Sequence, residues 1–127
     1  MPTQKKQMWD VAPTTKGTYS VRKNDDVTLT VTIGSGQYGS IRVRVNGNKV
    51  GAGQERLHIA LGKGADLIGS GIAVLAVVND VNPMTNRTEV TWVFAGGPKP
   101  SIFHQEHVAQ SDWGVVLFPA NFDIVRA

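Results

Sequence analysis

The sequence predicts an all-β domain, an antiparallel β-sandwich of jelly-roll-like or immunoglobulin-like type, with a small β-barrel as the alternative architecture. One observation is that fourteen glycines and six prolines divide the 127 residues into short pieces, which disfavours long helices. A second is that apolar and polar residues alternate with a period of two inside those pieces, as in strands with one buried face. Because a turn signal recurs about every eight to twelve residues, roughly eight or nine strands are expected.

The N-terminal segment differs from the rest of the chain. Residues 1–16 are mostly polar, contain Pro13, and are predicted to form an arm or an edge strand anchored by Trp9 and Val11. Residues 17–127 are predicted to form a single β domain, because their length is usual for one domain.

The first half of this domain carries the clearest strand signals. Residues 26–33 alternate four aliphatic side chains with three threonines, and both kinds of side chain suit a pleated surface. Residues 41–45 form the next predicted strand, and Asn46-Gly47 follows directly as a type I′ hairpin turn. Residues 57–61 alternate again, so they are predicted to form a strand rather than a helix.

The second half begins with a predicted turn at 62–66 and a strand of unusual composition. The stretch Leu67–Val78 is apolar on both faces, so it is expected to be central in a sandwich or buried in a subunit contact. Residues 88–95 form a strand with Trp92 and Phe94 facing inward. The remaining elements are a segment that is either a strand or one short helix, and two short closing strands around Pro119: 102–109, 115–118 and 122–125.

Composition and charge exclude several kinds of chemistry. The chain has no cysteine, so disulfide frameworks, thiolate metal sites and cysteine nucleophiles are excluded. Its formal net charge of +3 is too small to indicate nucleic acid as a partner. Residues 1–63 carry ten Lys and Arg against four acidic residues, whereas residues 64–127 carry three against six. Either the halves complement each other, within the fold or between copies, or the first half forms an anion-binding face.

No targeting signal is expected. The lysines of Met1–Trp9 are followed by no apolar run, so a secretory signal peptide is not predicted. The longest strongly apolar stretch, Ile72–Val78, is too short to cross a bilayer as a helix. A cytoplasmic location is the default expectation, export by a non-classical route is the alternative, and interaction with a membrane is left open.

Catalytic and cofactor motifs are absent or fail in their context. Gly34–Gly39 matches G-x-G-x-x-G, but a strand follows it, whereas a dinucleotide site needs a helix N-terminus there. No Gly-x-Ser-x-Gly nucleophile elbow occurs. No catalytic residue, no cofactor and no enzymatic activity are therefore predicted, and a small enzyme is kept as the last alternative.

The segment His104–His107 contains two histidines and a glutamate, which are residue types that ligate metals. On a strand, His104 and Glu106 would share one face, whereas on a helix His104 and His107 would do so. Asp112 is close in sequence, and His58 is the third histidine of the chain. Because nothing in the sequence fixes a third ligand, an exposed polar strand is favoured and no metal is predicted.

Two groups of residues form the candidate ligand-binding site. Aromatic side chains in glycine-neighboured loops can stack on sugar rings or anchor partners. Basic side chains on the solvent face of adjacent strands can bind an acidic or aromatic ligand. The two loop aromatics and the four basic residues expected on one face are Tyr38, Trp113, Arg42, Arg44, Arg56 and His58.

These features predict a non-catalytic binding or interaction module, in which one of the loops 34–39, 79–86 and 96–100 presents the contact surface. The expected partner is a glycan, an anionic ligand or a protein. The alternative is a self-associating structural subunit or a membrane-active oligomer, because the second apolar face of Leu67–Val78 has no obvious cover in a single sandwich.

Overall fold

A computed structural model describes residues 9–111 and 113–127, and most of this part of the chain is extended. It forms ten strands and one short helical turn. In chain order these elements are β1 (Trp9–Val11), β2 (Thr15–Val21), β3 (Asp26–Ile33), β4 (Tyr38–Val45), β5 (Asn48–Gln54), β6 (Arg56–Lys63), α1 (Gly64–Leu67), β7 (Gly71–Asn79), β8 (Arg87–Ala95), β9 (Ser101–Val108) and β10 (Val115–Arg126).

The strands form two sheets that pack face to face. The six-stranded sheet has the order β1-β10-β7-β4-β5, with β2 also paired to β10, and the four-stranded sheet has the order β6-β3-β8-β9. The sheets do not close into a barrel, so the β-sandwich prediction is confirmed and the barrel alternative is wrong. Most neighbouring strands are antiparallel, but β1 and β2 run parallel to β10, which the sequence did not indicate.

Alternation along each strand places one face of each sheet in a shared core. In β3 the four aliphatic residues are buried while the threonines remain partly exposed, because successive side chains of a strand point to opposite faces. Aromatic rings fill the centre of the core, where Phe94 contacts Phe122 edge-on with ring centroids 4.9 Å apart. Trp92 and Phe94 are fully buried, which confirms their predicted inward positions.

The structure differs from the prediction between residues 62 and 71. The turn predicted at 62–66 and the predicted start of the next strand at Leu67 are both wrong. Strand β6 continues through the first part of this segment, α1 follows directly, and β7 begins only at Gly71. The helical turn docks on the loop before β3, where Gly64 N donates to Asp25 O at 2.8 Å. Leu67 is buried there, so this apolar residue, which was predicted to begin the strand, instead packs at one end of the core.

β10 is one continuous strand rather than the two short strands predicted around Pro119. One edge of β10 pairs with β7 from Val115 to Asp123, and the other edge pairs first with β1 and then with β2. Ala12 N donates to Leu117 O at that second edge, so Pro119, two residues later, faces the same edge. Proline has no backbone N–H to donate. At position 119 this absence breaks no hydrogen bond between strands, because the position faces the gap between β1 and β2.

The N-terminal segment contains an edge strand, but its predicted anchors are wrong. Trp9 and Val11 are 53% and 57% exposed, because β1 turns both side chains to the outer face of the six-stranded sheet. The opposite face of β1 holds the strand in place through Asp10, whose Oδ2 accepts a hydrogen bond from Gln110 N at 3.0 Å. Residues 1–8 of the predicted arm lie outside the described residues.

The segment 102–109, for which strand and helix were both open, lies in strand β9 at the edge of the four-stranded sheet.

Among the described residues, no helix is long and apolar enough to cross a membrane.

Three connections meet at one end of the sandwich, which we call the Trp113 end: the loops 34–37 and 80–86, and the connection from β9 to β10 that carries Trp113. Asp80 N donates to Gly114 O at 2.9 Å, which joins two of these connections. The third predicted contact loop, 96–100, lies at the opposite end, since it contacts the beginning of β3 whereas loop 34–37 follows its end.

Candidate functional site

The four basic residues predicted for the site do not share a face. Arg42 and Arg44 point outward from β4 in the six-stranded sheet, whereas Arg56 and His58 point outward from β6 in the four-stranded sheet. The expectation of one basic surface on adjacent strands is therefore wrong. The chain changes sheets at Glu55, which adopts a φ of 60° between β5 and β6, so strands adjacent in sequence lie in opposite layers.

The two aromatic residues predicted for the site both lie at the Trp113 end. Tyr38 begins β4 directly opposite Asn79 of β7, and its hydroxyl donates a hydrogen bond to Gln54 Oε1 at 2.9 Å. Trp113 lies between β9 and β10 and is 69% exposed. Of the two, Trp113 lines a cleft and Tyr38 does not.

The cleft beside Trp113 has a volume of about 120 Å³. Its other lining residues come from loop 80–86, and they are Asp80, Val81, Asn82, Pro83 and Asn86. Trp113 has a φ of 64°, a left-handed conformation that bulky residues rarely adopt. A large exposed ring is therefore held at the cleft at a conformational cost, and such strain concentrates at functional sites.

A buried glutamine organises the loop that forms the cleft. Gln37 Nε2 donates to Asp80 Oδ1 at 2.9 Å and to Arg87 O at 2.9 Å. Its Oε1 accepts from two backbone N–H groups at the start of the loop, at 2.7 and 2.9 Å. One side chain thereby fixes both ends of loop 80–86. The sequence gives no signal for this role, because a glutamine in a glycine-rich loop is ordinarily exposed.

Asp80 lines the cleft although its side chain is only 3% exposed. Oδ1 accepts the hydrogen bond from Gln37, but Oδ2 has no hydrogen-bond partner among the described residues. An unpaired buried carboxylate oxygen is costly, and such groups in native proteins usually have a water, an ion or a ligand as partner. Asp80 is therefore the polar group of the cleft that most needs a further partner.

The two asparagines of the cleft differ in their hydrogen bonding. Both polar atoms of the Asn82 side chain bond within the loops, since Nδ2 donates to Ser35 O at 2.9 Å and Oδ1 accepts from Met84 N at 3.0 Å. Asn86 accepts from Ala109 N through its backbone carbonyl, and its amide forms no hydrogen bond within the described part of the chain. The cleft thus combines one free amide, one carboxylate and apolar surface.

A second surface is the outer face of the six-stranded sheet. The strands β1, β10 and β7 lie side by side in this sheet, and their pairing places outward-facing apolar residues of each strand next to those of its neighbour. We define the apolar stripe as Trp9, Val11, Ala73, Leu75, Val77, Val115, Leu117 and Pro119. Leu75 is 39% exposed and lies directly opposite Arg42 of β4. Strand β7 is central in its sheet, which was one of the two expectations for 67–78, and its second face belongs to this stripe.

The arginines of β4 border the apolar stripe. A shallow cavity of about 280 Å³ lies where Arg42 and Arg44 meet Ala73, Leu75 and Pro119. Two of the four basic residues predicted for the ligand-binding site, Arg42 and Arg44, thus border the apolar stripe, whereas Arg56 and His58 lie on the other sheet.

A third surface is the outer face of the four-stranded sheet. Because β9 is a strand, His104 and Glu106 share this face, and Glu89 of β8 lies directly opposite Glu106. Arg87 forms ion pairs with both glutamates. The hydrogen bond from His104, together with the positive charge of Arg87, holds the pKa of Glu106 below its ordinary value.

The three histidines do not meet. His107 faces away from His104 and Glu106, with its Nε2 3.3 Å from Asp10 Oδ2. His58 lies on β6, two strands away from β8 and three from β9. Asp112, which the sequence places near this segment, lies outside the described residues.

The oppositely charged halves are not joined by pairs between Lys or Arg and a carboxylate within the described residues. Such pairs form inside the first half or inside the second half: Arg22–Asp25, Lys63–Asp26, Arg87–Glu89 and Arg87–Glu106. No such ion pair therefore supports the expectation that the two halves complement each other within the fold. Direct pairing between the halves does not neutralise their opposite net charges.

Comparison with known proteins adds no functional information. No protein-family model, no curated protein and no solved structure matches this chain. Function is therefore inferred from the chemistry of these surfaces.

Proposed function

We propose that this protein is a non-catalytic carbohydrate-binding module that holds a neutral glycan at the Trp113 end. One juxtaposition carries the proposal: the exposed indole of Trp113 and the buried carboxylate of Asp80 line the same cleft. A sugar ring has apolar C–H faces and hydroxyl edges. An aromatic plane supplies the first contact, and a few fixed polar groups supply the second.

The conformation of Trp113 supports a binding role. Its ring is mostly exposed and contributes little to the core, yet its left-handed backbone costs roughly 1 kcal/mol. Neither the exposure nor the strain helps the fold. Contact between the indole and a ligand would offset both costs, because it removes the ring from water.

The hydrogen bonding of the loop supports a preformed site. Gln37 fixes loop 80–86 from both ends, so Asp80 and Asn86 are held before any ligand arrives. A binding loop that is already ordered loses less conformational entropy when the ligand binds. In the complex, Asn86 would supply amide donors and an acceptor, and Asp80 would accept from sugar hydroxyls.

The charge of the cleft favours a neutral glycan over the other partners predicted from the sequence. Asp80 is the one charged group among the described lining residues, and its carboxylate repels anions. The predicted arginines Arg42 and Arg44 lie on the sheet face instead of in the cleft. The small volume of the cleft suits a terminal sugar unit better than a folded protein partner.

The test is binding of the full chain to an array of neutral oligosaccharides, followed by calorimetric titration with the best ligand. We expect Trp113→Ala to weaken binding by about tenfold or more, as loss of an aromatic contact and its buried area should do. Ligand should also shift the tryptophan fluorescence of the wild-type chain, and this shift should disappear in Trp113→Ala.

Trp9→Ala is the matched control, because Trp9 is also an exposed tryptophan but lies outside the cleft lining. It should bind the glycan like the wild type. Absence of any neutral ligand, or equal losses in Trp9→Ala and Trp113→Ala, would contradict the proposal. Binding of acidic glycans alone, abolished by Arg42→Glu, would move the site to the sheet face.

A second candidate function is self-association, which the apolar stripe favours. The stripe is a contiguous apolar surface on three strands, and such surfaces in soluble proteins often mark interfaces. Two copies related by a twofold axis would bury the same stripe on both. This candidate uses a surface that shares no residue with the cleft, so the two functions are compatible.

The solution mass tests this candidate, measured by size-exclusion chromatography with light scattering at two salt concentrations. We expect a dimer that Leu75→Glu converts to a folded monomer, since the new carboxylate lies opposite Arg42 and is tolerated there. Ile102→Glu is the control, because Ile102 is an exposed apolar residue of the other sheet. A wild-type mass of 13.7 kDa at high protein concentration would rule self-association out.

A further inference from the structure

Three metal-ligating side chains converge on the outer face of the four-stranded sheet. Glu89 of β8 lies directly opposite Glu106 of β9, and His104 lies two residues from Glu106 on the same face. One ligand atom from each of the three residues lies within 4.8 Å of the other two. Strand pairing, which the sequence could not reveal, supplies the third ligand that His104 and Glu106 lacked.

A hydrogen-bond partner orients the histidine. Thr91 lies directly opposite His104 across the two strands, and its Oγ1 is 2.8 Å from His104 Nδ1. With Nδ1 engaged, Nε2 is the nitrogen that faces the glutamates. Histidines that bind metals almost always donate the N–H of the other ring nitrogen to an acceptor, and the hydroxyl oxygen of Thr91 can accept from Nδ1.

The distances suit a small cation between the three groups. His104 Nε2 lies 3.1 Å from Glu106 Oε1 and 3.6 Å from Glu89 Oε2. Two ligand atoms bound tetrahedrally to Zn²⁺ at its usual bond lengths are separated by roughly 3.3–3.4 Å. The two separations from His104 lie on either side of that value, and the ligand oxygens of the two glutamates lie within 4.8 Å of each other.

The two glutamates need a cation, because like charges directly opposite each other destabilise a sheet. Arg87 provides one, with its Nη2 3.2 Å from Glu89 Oε2 and in contact with Glu106 Oε1. Arg87 is half-exposed, so its long side chain can swing away from the glutamates toward solvent. A bound metal would therefore exchange with the guanidinium of Arg87.

The backbone leaves space for this arrangement. Gly34 follows β3, and a β-carbon at this position would lie 2.7 Å from Glu89 Cγ and collide with the carboxylate. A side chain at position 34 would therefore displace Glu89 from the cluster.

We propose that Glu89, His104 and Glu106 form a binding site for one divalent transition-metal cation such as Zn²⁺, in competition with Arg87. One imidazole nitrogen and two carboxylate oxygens are suitable ligands for this class of ion. All three side chains are partly exposed, so water completes the coordination sphere. The site is separate from the glycan cleft and shares none of its lining residues.

The same contacts would occur in a plain ion-pair network in which His104 is protonated, and Arg87 distinguishes the two cases. In an ion-pair network Arg87 is an essential member. In a metal site Arg87 is a competitor, so its removal strengthens metal binding. Arg87→Ala should therefore tighten metal binding if the three residues form a metal site. If they form only an ion-pair network, the same substitution should weaken the network.

The experiment is calorimetric titration of untagged, chelator-treated full-length protein with ZnCl₂. We expect one Zn²⁺ per chain, abolished binding in His104→Ala, and binding that tightens severalfold in Arg87→Ala because a competing charge is gone. Thr91→Val should weaken binding by about tenfold, since it removes the group that orients His104.

His58→Ala is the matched control. His58 lies on the same sheet face and has its own threonine partner, with Nδ1 2.6 Å from Thr30 Oγ1. Within the described residues, no ion pair and no group of three ligating side chains includes it. Zn²⁺ binding should be unchanged in His58→Ala, with circular dichroism confirming that every variant is folded. No binding by the wild type, equal losses in His58→Ala and His104→Ala, or weaker binding in Arg87→Ala would each overturn the proposal.

Discussion

Gln37 and Asp80 form a buried side-chain pair, in which Gln37 Nε2 donates to Asp80 Oδ1 at 2.9 Å. The two residues come from different loops, 43 positions apart in sequence. This pair positions the carboxylate that we place in the proposed glycan cleft. Loop 80–86 therefore depends on a residue that lines neither the cleft nor the core.

Gln37→Leu should destabilise the protein by about 3 kcal/mol. The substitution removes the donor to the Asp80 carboxylate and the acceptor of two backbone N–H groups, and all of these groups are buried or partly buried. Urea unfolding measured by circular dichroism provides the free energy. Gln54→Leu is the control, since Gln54 is exposed and bonds only the Tyr38 hydroxyl; its effect should stay within about 0.5 kcal/mol. Equal effects of the two variants would show that Gln37 does not organise the loop.

Trp113→Gly should be more stable than Trp113→Ala by about 1 kcal/mol. Both variants remove the indole, but only glycine adopts a positive φ without a steric penalty. Thermal and urea unfolding of the two variants give the comparison. If alanine proves as stable as glycine, the backbone of this connection is not strained, and the argument from strain for a binding role of Trp113 fails.

Tyr19→Phe should cost about 1–2 kcal/mol, because Tyr19 is buried and its hydroxyl accepts a hydrogen bond from Gly97 N at 2.8 Å. Phenylalanine keeps the stacking on Phe94, whose ring centroid is 5.3 Å away, so the loss reports the hydrogen bond alone. Tyr38→Phe removes an exposed hydroxyl and should change the unfolding free energy by less than about 0.5 kcal/mol. Similar values for both variants would refute the role of the Tyr19 hydroxyl.

The fold was predictable because it follows from local alternation. In 26–33 and 88–95 the period of two identifies strands and their buried faces without any tertiary information. Pro119 misled the prediction, since a proline inside a strand is acceptable when it faces a gap in the neighbouring edge. Trp9 and Val11 misled it because an apolar residue on an edge strand need not face the core.

The candidate site was predictable only in part. Trp113 could be found because an exposed aromatic in a polar loop has few structural roles. Arg56 and His58 were misplaced because a single residue, Glu55, separates two strands that lie in different sheets, and no sequence signal distinguishes this from an ordinary hairpin. Asp80 and Glu89 have their proposed roles because of neighbours that are distant in sequence, Gln37 and Glu106, and only the folded chain brings these neighbours together.

Acid should weaken the loop between β2 and β3 through Asp25. The backbone N–H of Arg22 donates to its carboxylate at 2.7 Å. This hydrogen bond, aided by the Arg22 guanidinium, lowers the pKa of Asp25 below its ordinary value. A carboxyl group whose pKa is lower in the folded than in the unfolded state stabilises the fold at pH values above its unfolded-state pKa. That contribution is lost as the pH falls through the folded-state pKa.

Asp25→Asn should therefore be less stable than the wild type at pH 7, and the difference should close as the pH is lowered below the ordinary range for aspartate. Urea unfolding at several pH values between neutral and strongly acidic gives the comparison. Asp66→Asn controls for the loss of one negative charge, because Asp66 is exposed on α1. A stability difference between Asp25→Asn and the wild type that does not change with pH would show that the hydrogen bond to the ionised carboxylate is not its source.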